Sequence, residues 1–186
     1  MAISIVATVG SASANSYVTL DQAQAFIDGL TESDDVVAWG TSTTDQRNRA
    51  LFTSTQRIDR ENFQGSRVNK TQALQWPRSG VRVPDQHNHL YSISFPYRII
   101  DDYYTDTEIP ERVKHAQIHL AVYLNNNKDG LGLSGLEDFQ SLSLGDINIT
   151  PNFYGRTGVD RIPPIVDQYL NGIRIGGSAN LPIKRS

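Results

Sequence analysis

PERVKHAQIHLAVYL, residues Pro110–Leu124, carries the strongest periodic signal in the chain. Val113, Ala116, Leu120, Ala121 and Leu124 recur at three- and four-residue steps, which places them on one face of a helix. Ile118, Val122 and Tyr123 widen that face, so the helix is expected at the centre of the fold. Pro110 supplies the fixed φ of a first helical position, and Glu111 sits where the helix dipole favours an acid.

Upstream, Thr19-Leu-Asp-Gln22 and Thr43-Thr-Asp-Gln46 both have capping-box spacing. The first predicts a helix from Leu20 to near Gly29, with Ala23, Phe26, Ile27 and Leu30 as its apolar stripe. The second predicts a longer helix to near Glu61, with Ala50, Leu51, Ser54 and Ile58 inward and Arg47, Arg49, Arg57 and Arg60 on the other face. Downstream, the segment from Pro163 to Gly172 reads as a short helix with proline at its start and glycine at its end.

Two stretches have strand periodicity. Residues Ser141–Thr150 alternate on both sides of Gly145-Asp146, which suits a type II′ hairpin with Leu144 opposite Ile147 and Leu142 opposite Ile149. Those four side chains share one face, which needs cover from the bundle or from a neighbouring subunit. Tyr91, Ile93, Phe95, Tyr97 and Ile99 also alternate, and read as an extended arm over about 83–108, with Pro96 confining it to an edge. The sequence therefore predicts a mainly α fold. A single helical-bundle domain occupies 1–172, with the arm and one β-hairpin at about 141–150, and 173–186 is a flexible C-terminal tail.

Composition narrows the classes. A chain of 186 residues can bury one real core. Its mean hydropathy of −0.40 accompanies no apolar run long enough to span a bilayer, and MAISIVATVG at the start lacks the basic end and h-region of a signal peptide. The absence of cysteine excludes disulfides, thiolate metal sites and cysteine nucleophiles. The net charge of −3 hides an uneven distribution: residues 47–82 hold eight basic and two acidic side chains, residues 83–111 six acidic and one basic. Either a locally basic, phosphate-facing surface or ordinary solvated arginines would produce this.

No constellation nominates catalysis. His115 and His119 share a helix face at the spacing of a two-histidine zinc site, but Ala116 stands where HExxH has its glutamate, spacing points out no third ligand, and His87 and His89 lie on a flexible-looking segment. No Gly-x-Ser-x-Gly elbow occurs, Gly130, Gly132 and Gly135 match no phosphate loop, and Asp34-Asp35 and Asp101-Asp102 are adjacent pairs. The expectation is a protein with no catalytic residues, no metal and no cofactor. Arg67, Lys70, Arg78 and Arg82, interleaved with Phe63 and Trp76, offer a mixture of charge and stacking surface for nucleic acid. Within Ala73–Val81, ALQWPRSGV, the favoured reading makes Leu74 and Trp76 core anchors, Pro77 a turn outward and Arg78 an exposed cation.

Four motifs in this order, Gly10–Leu20, Leu74–Gly80, Ile109–Ala116 and Leu144–Ile147, resemble those of tailed-phage head-to-tail connector proteins, also called adaptor or head-completion proteins. The resemblance implies a helical bundle assembled as a dodecameric ring under the portal, in the neck of a virion assembled in the host cytoplasm. The ring would extend the DNA channel, carry packaged double-stranded DNA by non-specific contact and offer a surface to tail or tail-completion proteins. It makes Leu181, Pro182, Ile183, Lys184 and Arg185 candidates for portal contact. On this reading Arg67, Lys70, Arg78 and Arg82 line the DNA channel, and Leu142, Leu144, Ile147, Ile149, Tyr91, Ile93 and Phe95 form subunit interfaces. Sequences of this pattern are often labelled DnaT-like single-stranded-DNA-binding proteins, so the alternative is a replication-type single-strand binder with no membrane partner.

Overall fold

The computed structural model describes residues 3–92, 95–127, 142–144, 147–149 and 162–175, with side chains described over 3–84, 102–127 and 162–175. Its helices are α1 (Leu20–Ile27), α2 (Asp34–Thr41), α3 (Thr44–Ile58), α4 (Glu111–Asn126) and α5 (Pro164–Leu170). Antiparallel pairs join β1 (Ser66–Arg67) to β2 (Arg78–Ser79), β3 (Arg82–Ser92) to β4 (Phe95–Tyr103), and β5 (Leu142–Leu144) to β6 (Ile147–Ile149). The class is mainly helical, as expected from the sequence.

Both capping boxes form. The Gln22 and Gln46 backbone N–H groups donate to the Thr19 and Thr43 hydroxyls, while the Thr19 and Thr43 N–H groups donate to the two glutamine side chains at 2.9 and 2.8 Å. Pro110 stands one place earlier than expected, as the N-cap of α4, where its carbonyl accepts from the Val113 N–H at 2.9 Å. α3 stops at Ile58, short of Glu61, with Asp59 as its C-cap. The sequence reading missed α2. With eight residues it is too short to display a period, yet it buries Trp39 completely and hands the indole N–H to the Gln24 side chain at 3.1 Å.

The arm is corrected to a hairpin. Alternation over Tyr91–Ile99 exposes only one half of it; the other half, QHNH at 86–89, is polar and carries no strand signal of its own. His87 faces Asp101 and His89 faces Ile99 in the ladder, so both histidines lie in regular strand. In the last hairpin Leu142 pairs with Ile149 and Leu144 with Ile147, the expected register. The turn at 145–146 and the side chains on its apolar face lie outside the described residues.

α4 divides the interior. Val113, Ala116 and Leu120 join one core with Tyr17, Ile58, Phe63, Trp76, Val166 and Leu170. Ile118, Ala121 and Val122 join a second core with Val18, Ala23, Ile27, Trp39 and Leu51. At 3.6 residues per turn Gln117 falls on the seam between these two faces. It is fully buried, and its amide nitrogen donates to the Ser16 hydroxyl at 2.7 Å, the Thr55 hydroxyl at 2.9 Å and the Leu51 carbonyl at 3.2 Å. Its amide oxygen accepts the Tyr17 N–H at 3.1 Å. Gln117→Leu keeps roughly the volume but leaves the buried Tyr17 N–H without its acceptor, while the Ser16 and Thr55 hydroxyls and the Leu51 carbonyl keep other partners. It should cost about 2 kcal/mol of unfolding free energy in equilibrium urea titrations. A loss below about 1 kcal/mol would show that the seam tolerates an apolar side chain.

Candidate nucleic-acid interface

The segment leaving α3 builds the basic edge around two buried side chains. Trp76 is 1% exposed and packs edge-on against Phe63, with ring centres 5.5 Å apart. The Trp76–Pro77 peptide is cis. Arg78 is turned inward, contrary to the sequence reading, and is 8% exposed. Its guanidinium donates to the carbonyls of Gln64 at 2.8 Å, Phe63 at 3.2 Å and Gly65 at 2.8 Å, and to the Gln75 side chain at 2.8 Å. A planar fork of five donors can satisfy several carbonyls at once, so Arg78 clamps 63–65 to 75–78 rather than facing solvent. Gly65, at φ 67°, makes the approach possible: a Cβ there would collide with the Ser79 carbonyl.

A second buried polar pair ties this edge to the bundle. The Tyr17 hydroxyl donates to the Asp59 carboxylate, which also accepts the Gln75 N–H at 3.4 Å. Burial pushes Tyr17 well above the ordinary tyrosine value, and the Asp59 charge adds to the shift. Burial also raises Asp59, against the opposing pull of Tyr17, the Gln75 N–H, Arg67 and Arg78. Arg67 is therefore close enough for Asp59 to feel its charge.

Most described cations are already engaged. Arg49 pairs with Asp45 at 2.7 Å, Lys114 with Glu111 at 2.6 Å, and Arg174 with Glu61 and Asp167. Arg47 donates to the Trp39 and Gly40 carbonyls and Arg112 to that of Asn171. Arg67 donates to the Gln72 carbonyl at 3.3 Å, but it and Lys70 are both exposed, on β1 and the loop after it, and neither is in an ion pair among the described residues. Their loop lies against residues 8–13. The Ala73 N–H donates to the Ser11 carbonyl at 3.1 Å, Gly10 lies beside the Asn69 amide, and Val9 and Val68 stand exposed nearby in the chain.

Of the four cations nominated by the sequence, Arg67, Lys70 and Arg82 are at the surface and Arg78 is not. Sequence reasoning missed Tyr103, the cross-strand partner of Arg82 and 56% exposed. Its signal was an aromatic pair directly after Asp101-Asp102, masked by the acids. The side chains of Leu142, Leu144, Ile147, Ile149, Tyr91, Ile93 and Phe95, and all of Leu181, Pro182, Ile183, Lys184 and Arg185, lie outside the described residues.

His115 and His119 stand in a cluster of four rings. Phe26 of α1 stacks on His115 at 4.3 Å, Tyr169 of α5 stacks on His119 at 5.3 Å, and each meets the other histidine edge-on. The pair thus pins two helices to α4. No group of three or more histidine or acidic side chains able to hold a metal occurs among the described residues.

Fold and surface together define a small, mainly helical protein in which Arg67 and Lys70 stand exposed on β1 and the loop after it. No described helix is long and apolar enough to cross a membrane. The family model described as "Putative DnaT-like ssDNA binding protein" matches residues 1–186, and the chain belongs to that family. Neither a curated protein nor a solved structure matches it.

This membership corrects the head-to-tail connector reading, together with the ring, portal and virion features drawn from it. Three of the four motifs behind that reading prove to encode the scaffold. They supply Tyr17 and the first capping box, the Trp76–Pro77 turn, and the start of α4. Scaffold residues specify a fold, and a fold does not specify a function.

The ring cluster has a pH signature. Burial, then the charge on His115, hold His119 below the ordinary histidine value of 6.5. As pH falls the unfolded chain binds the proton before the folded chain does, so this contribution is complete above that value and is lost below it. Between about pH 7.5 and about pH 5 the melting temperature should drop more steeply in the wild type than in His119→Phe, which keeps a ring but cannot charge. Equal slopes would show that His119 titrates as an ordinary exposed histidine.

Proposed function

We propose that the protein binds single-stranded DNA without preference for base sequence, as a binding module rather than an enzyme. Support comes from family membership together with one observation: Arg67 and Lys70 stand exposed on β1 and the loop after it, and neither is in an ion pair among the described residues. Lysine and arginine so placed attract the phosphate backbone and release its condensed counterions, which gives affinity without reading bases. Exposed Val68 beside them offers apolar contact to a sugar or base.

Fluorescence anisotropy with labelled oligodeoxythymidylate over a range of salt concentrations tests this reading. Log affinity should fall linearly with log salt, and Lys70→Ala or Arg67→Ala should each flatten that slope by about 0.7. Both side chains are exposed, so melting temperatures should hold. Affinity independent of salt, or slopes unchanged in both variants, would contradict the assignment.

A further inference from the structure

Where β3 meets β4, the pleat sorts four side chains into two pairs. The Tyr104 N–H donates to the Val81 carbonyl at 3.0 Å, which makes those two a hydrogen-bonded pair. Both face the core: Val81 is fully buried and Tyr104 packs on the same cluster. The next pair, Arg82 with Tyr103, therefore points away from the core. It is of the non-hydrogen-bonded kind, in which facing side chains stand closest. Both residues are exposed, and Tyr103 is the only exposed aromatic among the described side chains.

We infer that Tyr103 is a stacking platform for an unpaired nucleobase, with Arg82 beside it. The inference rests on the reading of the chain as a single-strand binder, and gives that reading a subsite. A platform must be flat, reachable and rigidly mounted. The Val81–Tyr104 pair anchors the strand to the core one residue away, so the ring is presented on a fixed support. Stacking uses the face of a base, which a duplex covers with neighbouring bases, so the contact selects unpaired strands and accepts any base. Asp102, Asp106 and Glu108 flank Tyr103 in the chain and oppose phosphate there. Stacking, rather than charge, carries this subsite, and the phosphates are met at the Lys70 loop.

The test compares oligodeoxythymidylate with an abasic strand of equal length, using wild type, Tyr103→Ala and Tyr103→Phe. Tyr103→Ala should bind the thymidylate strand roughly 5- to 150-fold more weakly, while Tyr103→Phe, which keeps the ring, stays close to wild type. On the abasic strand all three proteins should be equal. Wild-type binding with undiminished affinity in Tyr103→Ala would overturn the platform and leave the single-strand reading standing. Failure of the wild type to bind the thymidylate strand would overturn both. If Tyr103→Ala does not fold, the wild type alone decides, because equal affinity for the two strands would exclude base stacking.

Discussion

Gln117 sits on α4, the longest described helix, and exchanges hydrogen bonds with four other residues. A buried primary amide is costly unless its groups are satisfied, so its position is fixed only when the segment at Ser16-Tyr17, α3 and α4 are all in place. From there a polar path runs outward. The Tyr17 backbone meets Gln117 while its hydroxyl meets Asp59; Asp59 meets Gln75; and Gln75 meets Arg78, which gathers the carbonyls of 63–65. The basic edge is thus tied to the centre of the bundle through named contacts.

That path separates the cations by role. Arg78 loses solvent, and burial pulls its pKa down, yet its donors are taken up by carbonyls, so it serves as a clamp. Arg67 is its cross-strand partner in the β1–β2 pair, yet it stays exposed and, among the described residues, donates only to the Gln72 carbonyl, at 3.3 Å. An exposed cation on a loop held by a buried one is a charge presented at a fixed place. This is the arrangement that non-specific phosphate contact requires.

Much of the fold was legible from local chemistry. The capping boxes at Thr19 and Thr43, the stripe of α4 and the pairing of Leu144 with Ile147 depend on residues close in sequence, and all are observed. What failed was non-local. α2 was too short to show a period, and the polar 86–89 half of the β3–β4 hairpin gave no hint of its partner. Gln117 could have been noticed as a lone amide on an apolar face, but its partners are far away in sequence. Arg78 looked like surface because arginine usually is. Function was the least legible, since the ordered motifs that suggested a connector specify core and turns.

The central claim is that single-stranded DNA meets residues 66–71 and Tyr103, while Trp76 and Arg78 remain structural. Hydrogen–deuterium exchange with and without saturating oligodeoxythymidylate tests it most directly. The account predicts added protection at residues 67–71 and around 103, with exchange in 75–78 unchanged. Protection elsewhere with none at these positions, or opening of 75–78 on binding, would contradict it.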